Sequence, residues 1–169
     1  MKLFNRIILA FIIGISLYSC SSNNEQFVGS WETEYEEEII GYNFYPVKEV
    51  LTLNENSSFV QAFTYFEDDS YYDTLAIVSV NGEWELANNC LEMVYDTTSV
   101  TVNSEDEVFI DELLEQIKGY IKLNNENIQK AHNEDTQYGI LNAAVKDGKL
   151  ISISDSENEE DEVIYTKAK

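Results

Sequence analysis

Between residues 31 and 39 the side chains alternate: Glu32, Glu34, Glu36 and Glu38 hold one parity, and Trp31, Thr33, Tyr35 and Ile39 the other, with Glu37 the exception. A period of two marks a strand with one wet face and one buried face. The constraint is strong, because a slip of one residue would carry four carboxylates into the core. Trp31 is therefore expected to face inward. The pattern recurs along the chain. Val47, Leu51 and Leu53 share a face over 47–53, a polar turn occupies 54–58, and Phe59, Phe63 and Tyr65 share a face over 58–66. Beyond the acidic turn 67–69, further strands are expected at about 72–80, 82–86, 91–95 and 99–102. Short strands at near-regular spacing predict an antiparallel sheet that closes on itself.

The period then changes. Ser104-Glu105-Asp106-Glu107 fits a capping box, and Ile110, Leu113, Ile117 and Ile121 recur at helical spacing. They predict one amphipathic helix over 105–123, resuming to His132. Gly119 inside it costs about 1 kcal/mol relative to Ala and predicts a bend or a close approach. Strands resume at 138–145, 149–154 and 162–166, joined by the hairpin signal Asp147-Gly148 and by the acidic turn 155–161. Pro46, the single proline, is expected in a loop before the second strand. The fold class is mainly β: an antiparallel up-and-down barrel with one amphipathic helix inserted before the last strands.

Ahead of the strands stand Lys2, Arg6 and the apolar run 7–18, which is short for a membrane span. Leu17-Tyr18-Ser19-Cys20 resembles the lipobox of bacterial lipoproteins, in which the cysteine thiol becomes the lipid attachment point. The resemblance implies a signal peptide over 1–19, a lipidated tether over 20–26 beginning at Cys20, and one domain over 27–169. It also implies a lipid-anchored protein of the cell envelope at the outer membrane, on its periplasmic or its surface face. Several acyl chains, each burying CH₂ groups at about 0.8 kcal/mol apiece, hold such an anchor almost permanently. With Cys20 acylated, Cys90 lacks a disulfide partner, so packing must stabilise the domain, and Cys90 reads as a small buried hydrophobe.

The chain carries a formal net charge of −22, which repels nucleic acid and anionic lipid. Its single histidine, His132, reads as a solvated residue at the polar end of the helix. Gly-x-Ser-x-Gly, a phosphate-cradling glycine loop and a Cys/His zinc cluster are all missing from the sequence. Carboxylates are too numerous for any pair to be singled out. The sequence thus predicts a non-enzyme with no catalytic residues, cofactor or metal. The acidic stretch 155–162 has oxygen ligands suited to calcium, but it lacks EF-hand spacing and reads as a solvated turn.

Phe27-Val28-Gly29-Ser30-Trp31 resembles the Gly-x-Trp start of lipocalins, in which the Trp packs across the closed end of a barrel. Asn81-Gly82-Glu83-Trp84, followed by Leu86 and Leu91-Glu92-Met93, is similar to the second Gly-x-Trp segment of lipocalin-like envelope lipoproteins. There are departures. Lipocalins place an Arg over the first Trp, whereas Arg6 is the only arginine here and Lys167 the nearest substitute. The Thr-Asp-Tyr loop motif is absent, and the long helix precedes the last strands. The resemblance implies that Trp31 closes the barrel and that a small apolar or amphipathic molecule is held inside.

By strand parity Phe59 joins Trp31 on the inward face, as do Tyr35, Phe63, Tyr65, Trp84, Met93 and Tyr95, the candidate ligand-binding residues. Two readings stay open at this level. These side chains line a cavity, or they fill a solid barrel whose loops bind a protein partner as an inhibitor or a subunit of a surface complex. Asp73-Thr74-Leu75 and Asp96-Thr97-Thr98 resemble acceptor sites of a periplasmic O-glycosylation system, with Thr74 and Thr97 as the acceptors.

Overall fold

A computed structural model of the chain describes residues 24–39, 43–67, 71, 73–104, 107–140, 143–151 and 164–168. The expected signal peptide, Cys20, the expected acidic turn over 155–161 and positions 105 and 106 of the expected capping box lie outside the described residues. Among the described residues nine strands and one helix follow in the order β1 (Gly29–Ile39), β2 (Asn43–Leu53), β3 (Ser58–Phe66), β4 (Thr74–Ala87), β5 (Cys90–Tyr95), β6 (Thr101–Ser104), α1 (Glu107–Glu134), β7 (Ala144–Lys146), β8 (Lys149–Ile151) and β9 (Ile164–Lys167). All strands belong to one antiparallel sheet in the order β5-β4-β3-β2-β1-β9-β8-β7, with β6 beside β4. The sheet curls into a half-barrel, as the alternation predicts.

The first strand takes the expected register. Trp31 is fully buried and faces Leu51 across the β1–β2 pair, while Glu34, Glu36 and Glu38 are exposed. Lys48 on the outer face of β2 reaches Glu32 at 3.0 Å and Glu34 at 3.9 Å. The Trp31 indole N–H donates to the Phe27 carbonyl at 2.7 Å, and the Lys167 ammonium lies 4.2 Å from the indole ring centroid. A cation over the indole face is attracted by the ring quadrupole. Lys167 therefore stands over Trp31 in this fold, supplied by β9, which pairs with β1 at Trp31↔Lys167.

Four sequence expectations require correction. Segments 72–80 and 82–86 form one long strand: β4 runs through Gly82, its first half pairing with β6 and its second with β5. Gly82 marks a close approach there, since a Cβ would lie 2.2 Å from the Val94 carbonyl and 2.5 Å from the Phe59 ring. Pro46 lies inside β2, opposite Glu36. The β2–β3 register starts only at Val47↔Tyr65, so the proline stands where β2 has a single neighbour and its missing N–H is tolerated. The helix is continuous through Gly119, where a Cβ would meet nothing within 4 Å. Neither close packing nor a break accompanies that glycine. The expected strand 138–145 is reduced to β7 and a bridge at Ile140.

The buried stripe of α1, including Leu113, Ile117 and Ile121, joins the core of the concave sheet face. The same helix caps the outer edge of β5, the end strand of the sheet. Asn124 donates to the Met93 carbonyl at 2.8 Å, and Asn125 both accepts from the Tyr95 amide and donates to its carbonyl, at 3.0 and 2.8 Å. Two residues before Met93 on the same strand, Leu91 and Ile140 exchange backbone hydrogen bonds at 3.0 and 2.9 Å. An edge that would otherwise invite another strand is thereby occupied. Asn125→Ala would leave two part-buried backbone groups unpaired and is expected to cost about 1–3 kcal/mol, measured by urea unfolding.

Two hairpins share one turn geometry, and of these only Asp147-Gly148 is expected from the sequence. Asn88-Asn89 and Asp147-Gly148 each place both central residues at positive φ, 51° and 64° in the first and 52° and 75° in the second. Two positive φ values match the twist of the flanking strands. Cys90, opening β5, is fully buried and unpaired, and burial pushes its thiol up to about 11.

Candidate functional site

Between the concave sheet face and α1 lies a cavity of about 640 Å³. Volumes of this order suit a small ligand. Of the sequence candidates, Tyr35, Phe63, Tyr65, Met93 and Tyr95 line it. Trp84 does not. It is buried away from the cavity, with its indole N–H donating to the Asn54 carbonyl at 3.1 Å, and so belongs to the packing beneath. Ile117 and Ile121 of α1 cover the cavity, and Tyr120 on the same helix is more than half exposed beside it.

The inner wall is polar. Glu49 on β2 is only 5% exposed, and its Oε1 accepts from Gln61 Nε2 at 2.6 Å and from the Tyr165 hydroxyl at 2.9 Å. Tyr35 is hydrogen-bonded to the same carboxyl. The Tyr95 hydroxyl donates to Gln61 Oε1 at 2.7 Å, so Gln61 relays between a strand and a carboxyl. Beside this group, Glu37 accepts from the Tyr65 hydroxyl at 3.0 Å and from Gln116 Nε2 at 3.5 Å.

Burial holds the Glu49 carboxyl above the usual carboxylate range, against the lowering effect of Gln61, Tyr165 and Tyr35, and the Glu37 charge raises it further. Burial likewise raises Glu37, against the hydrogen bond from Tyr65. The phenols of Tyr35, Tyr65, Tyr95 and Tyr165 are all raised, first by burial, and remain neutral donors. The raised Glu49 value has a signed consequence. Over a window beginning near its ordinary 4.5, the folded chain keeps a proton that the unfolded chain has lost. Folding stability therefore falls as pH rises through that window. Wild type is expected to lose stability relative to Glu49→Gln between acid and neutral pH, read by denaturant unfolding at a series of pH values. A relative gain instead would show that the three donors outweigh burial.

Glu37, Glu49, Gln61 and Tyr165 escaped the sequence candidates, although the signal was present. Glu49 shares its parity with Val47 and Leu51, and Gln61 shares its own with Phe59 and Phe63. A polar residue on an apolar face is the readable mark of a buried polar site. Glu37 was visible as the exception in the first strand.

A second cluster lies outside the cavity. Glu85 and Glu92 face each other across β4 and β5, and His132 Nε2 sits 2.6 Å from Glu92 Oε2. His132 is thus half exposed in the last helical turn, as its position suggests, but engaged with a carboxylate that is 3% exposed. The candidate acceptors Thr74, at the start of β4, and Thr97, in the turn after β5, are both exposed and neither lines the cavity. A scan against protein-family models found no match, and a search of curated proteins found none similar to the chain.

Proposed function

We propose that this protein is a lipocalin-like lipoprotein, anchored to the outer membrane through Cys20, that holds a small amphipathic molecule in the cavity between its sheet and α1. One observation carries the reading: an inner face built for packing leaves about 640 Å³ open and furnishes it with both aromatic and polar walls. Pockets for small molecules combine mostly apolar surfaces with a few placed polar groups. The open space favours this reading over a solid barrel acting only through its loops, the competing interaction module. The role is binding rather than catalysis. The Glu49 carboxyl is engaged by three neutral donors, and the histidine is committed to Glu92 outside the cavity.

The binding half of the proposal is tested by titration calorimetry of the full-length protein with a matched series of short amphiphiles: 1-hexanol, hexanoate and hexyltrimethylammonium. Saturable binding at one site is expected for at least one of them; no saturable binding by any would remove the reading. The anchoring half is tested by metabolic labelling with a fatty acid. Label should mark the wild type and vanish, with membrane retention, in Cys20→Ala, and label persisting in the variant would contradict the anchor.

A further inference from the structure

The polar wall of the cavity has a sign. Glu37 and Glu49 are its two ionisable acids, and no Lys, Arg or His stands among the described residues that line it. The basic side chains Lys48, Lys167 and His132 have partners elsewhere: Lys48 meets Glu32 and Glu34 on the outer face of β1, Lys167 the Trp31 ring, and His132 Glu92. Each cavity carboxyl is met only by neutral donors, and the two repel each other. Uncompensated carboxylates in a poorly hydrated site are costly, and attraction to an opposite charge is much stronger there than in water.

The phenols point the same way. Tyr65 donates to Glu37, Tyr165 to Glu49, and Tyr95 to Gln61, so these hydroxyl protons are spent on the wall itself. An incoming anion would find no spare donor among these three, and two acids. What the tyrosines still offer is ring surface, whose negative faces attract cations.

We propose that the occupant is an organic cation, with an amine or quaternary ammonium head set against Glu37 and Glu49 among the tyrosine rings and an apolar tail toward Phe63, Met93 and Ile117. This rests on the small-molecule reading above and names the ligand class for the same site. The strongly negative chain, −22 overall, also draws cations toward it from solution.

The amphiphile series separates this inference from the reading beneath it. Hexyltrimethylammonium is expected to bind about tenfold or more tighter than 1-hexanol, with hexanoate weakest, because the alkyl tails are of similar length while the heads carry positive, zero and negative charge. Glu49→Gln and Glu37→Gln should each reduce the cation's advantage about fivefold or more, while Glu34→Gln on the outer face leaves it within about twofold. Circular dichroism identifies which variants are folded, and the wild-type order alone is decisive if Glu49→Gln is not. Binding of 1-hexanol or hexanoate at least as tight as the ammonium would overturn the inference and leave the carrier reading standing. An advantage undiminished in both cavity variants would also overturn it, since the cation would then be held by general surface charge. Absence of binding by all three removes the carrier reading itself.

Discussion

Trp31→Ala is expected to cost about 3–5 kcal/mol, the usual range for deleting a large buried aromatic. The indole is completely buried, its N–H is satisfied by the Phe27 carbonyl at 2.7 Å, and Lys167 covers its ring at 4.2 Å. Removing it leaves a void at the junction of β1, β2 and β9. A domain stability of about 5–15 kcal/mol makes that a large share of the total. Urea unfolding of Trp31→Ala beside the wild type reads the loss, and a change below about 1 kcal/mol would show that the indole is not the keystone of this end. Trp31→Phe, which retains most of the apolar contact, should recover part of it. Trp84→Ala belongs to the same class, because its side chain is packing beneath the cavity.

Gly82→Ala is the second large effect, and it runs in the opposite direction sterically. A Cβ at this position would stand 2.2 Å from the Val94 carbonyl oxygen and 2.5–2.7 Å from the Phe59 ring. The ring can turn, but the carbonyl belongs to the strand paired with β4 and can retreat only by opening that ladder. Overpacking of a core typically costs about 1–3 kcal/mol, and a backbone opponent places this case near about 3 kcal/mol. The Phe59 ring also meets Tyr95 edge-on at 5.1 Å, so the shift would propagate to the cavity wall. Thermal unfolding of Gly82→Ala checks the cost, and a substitution without effect would mean that β4 and β5 separate easily at this point.

How much of this was legible in the sequence depended on whether an element declares itself by period. The four alternating glutamates placed Trp31 and the register of β1, because a shifted register would have buried charge. The apolar spacing of Leu113, Ile117 and Ile121 placed the helix face. Gly82 and Gly119 were harder, since a glycine reads the same whether it ends a strand, admits a neighbouring ring or merely sits exposed in a helix. Only the partner atoms distinguish those cases, and they come from segments remote in sequence. Pro46 misled for a related reason: whether a strand tolerates proline depends on which edge is vacant, which is a property of the sheet.

The cavity was half legible. Its aromatic lining followed from parity, whereas its polar wall required treating Glu49 and Gln61 as inward residues despite their chemistry. A pattern rule that counts apolar positions passes over polar ones on the same face. Trp84 shows the converse limit. Parity put it inward with Met93, its cross-strand partner, yet the curl of the sheet carries one side chain to the packed end and the other to the cavity.

The most direct test of the central claim is native mass spectrometry of the protein extracted gently from the cells that make it, compared with Met93→Trp, which fills the cavity from β5 without altering its carboxyls. The account predicts a stoichiometric small-molecule adduct on the wild type, beyond polypeptide and lipid anchor, that is lost from Met93→Trp while the variant keeps its fold. An adduct carried equally by both proteins, or a wild-type mass explained entirely by polypeptide and lipid after extraction from those cells, would contradict it.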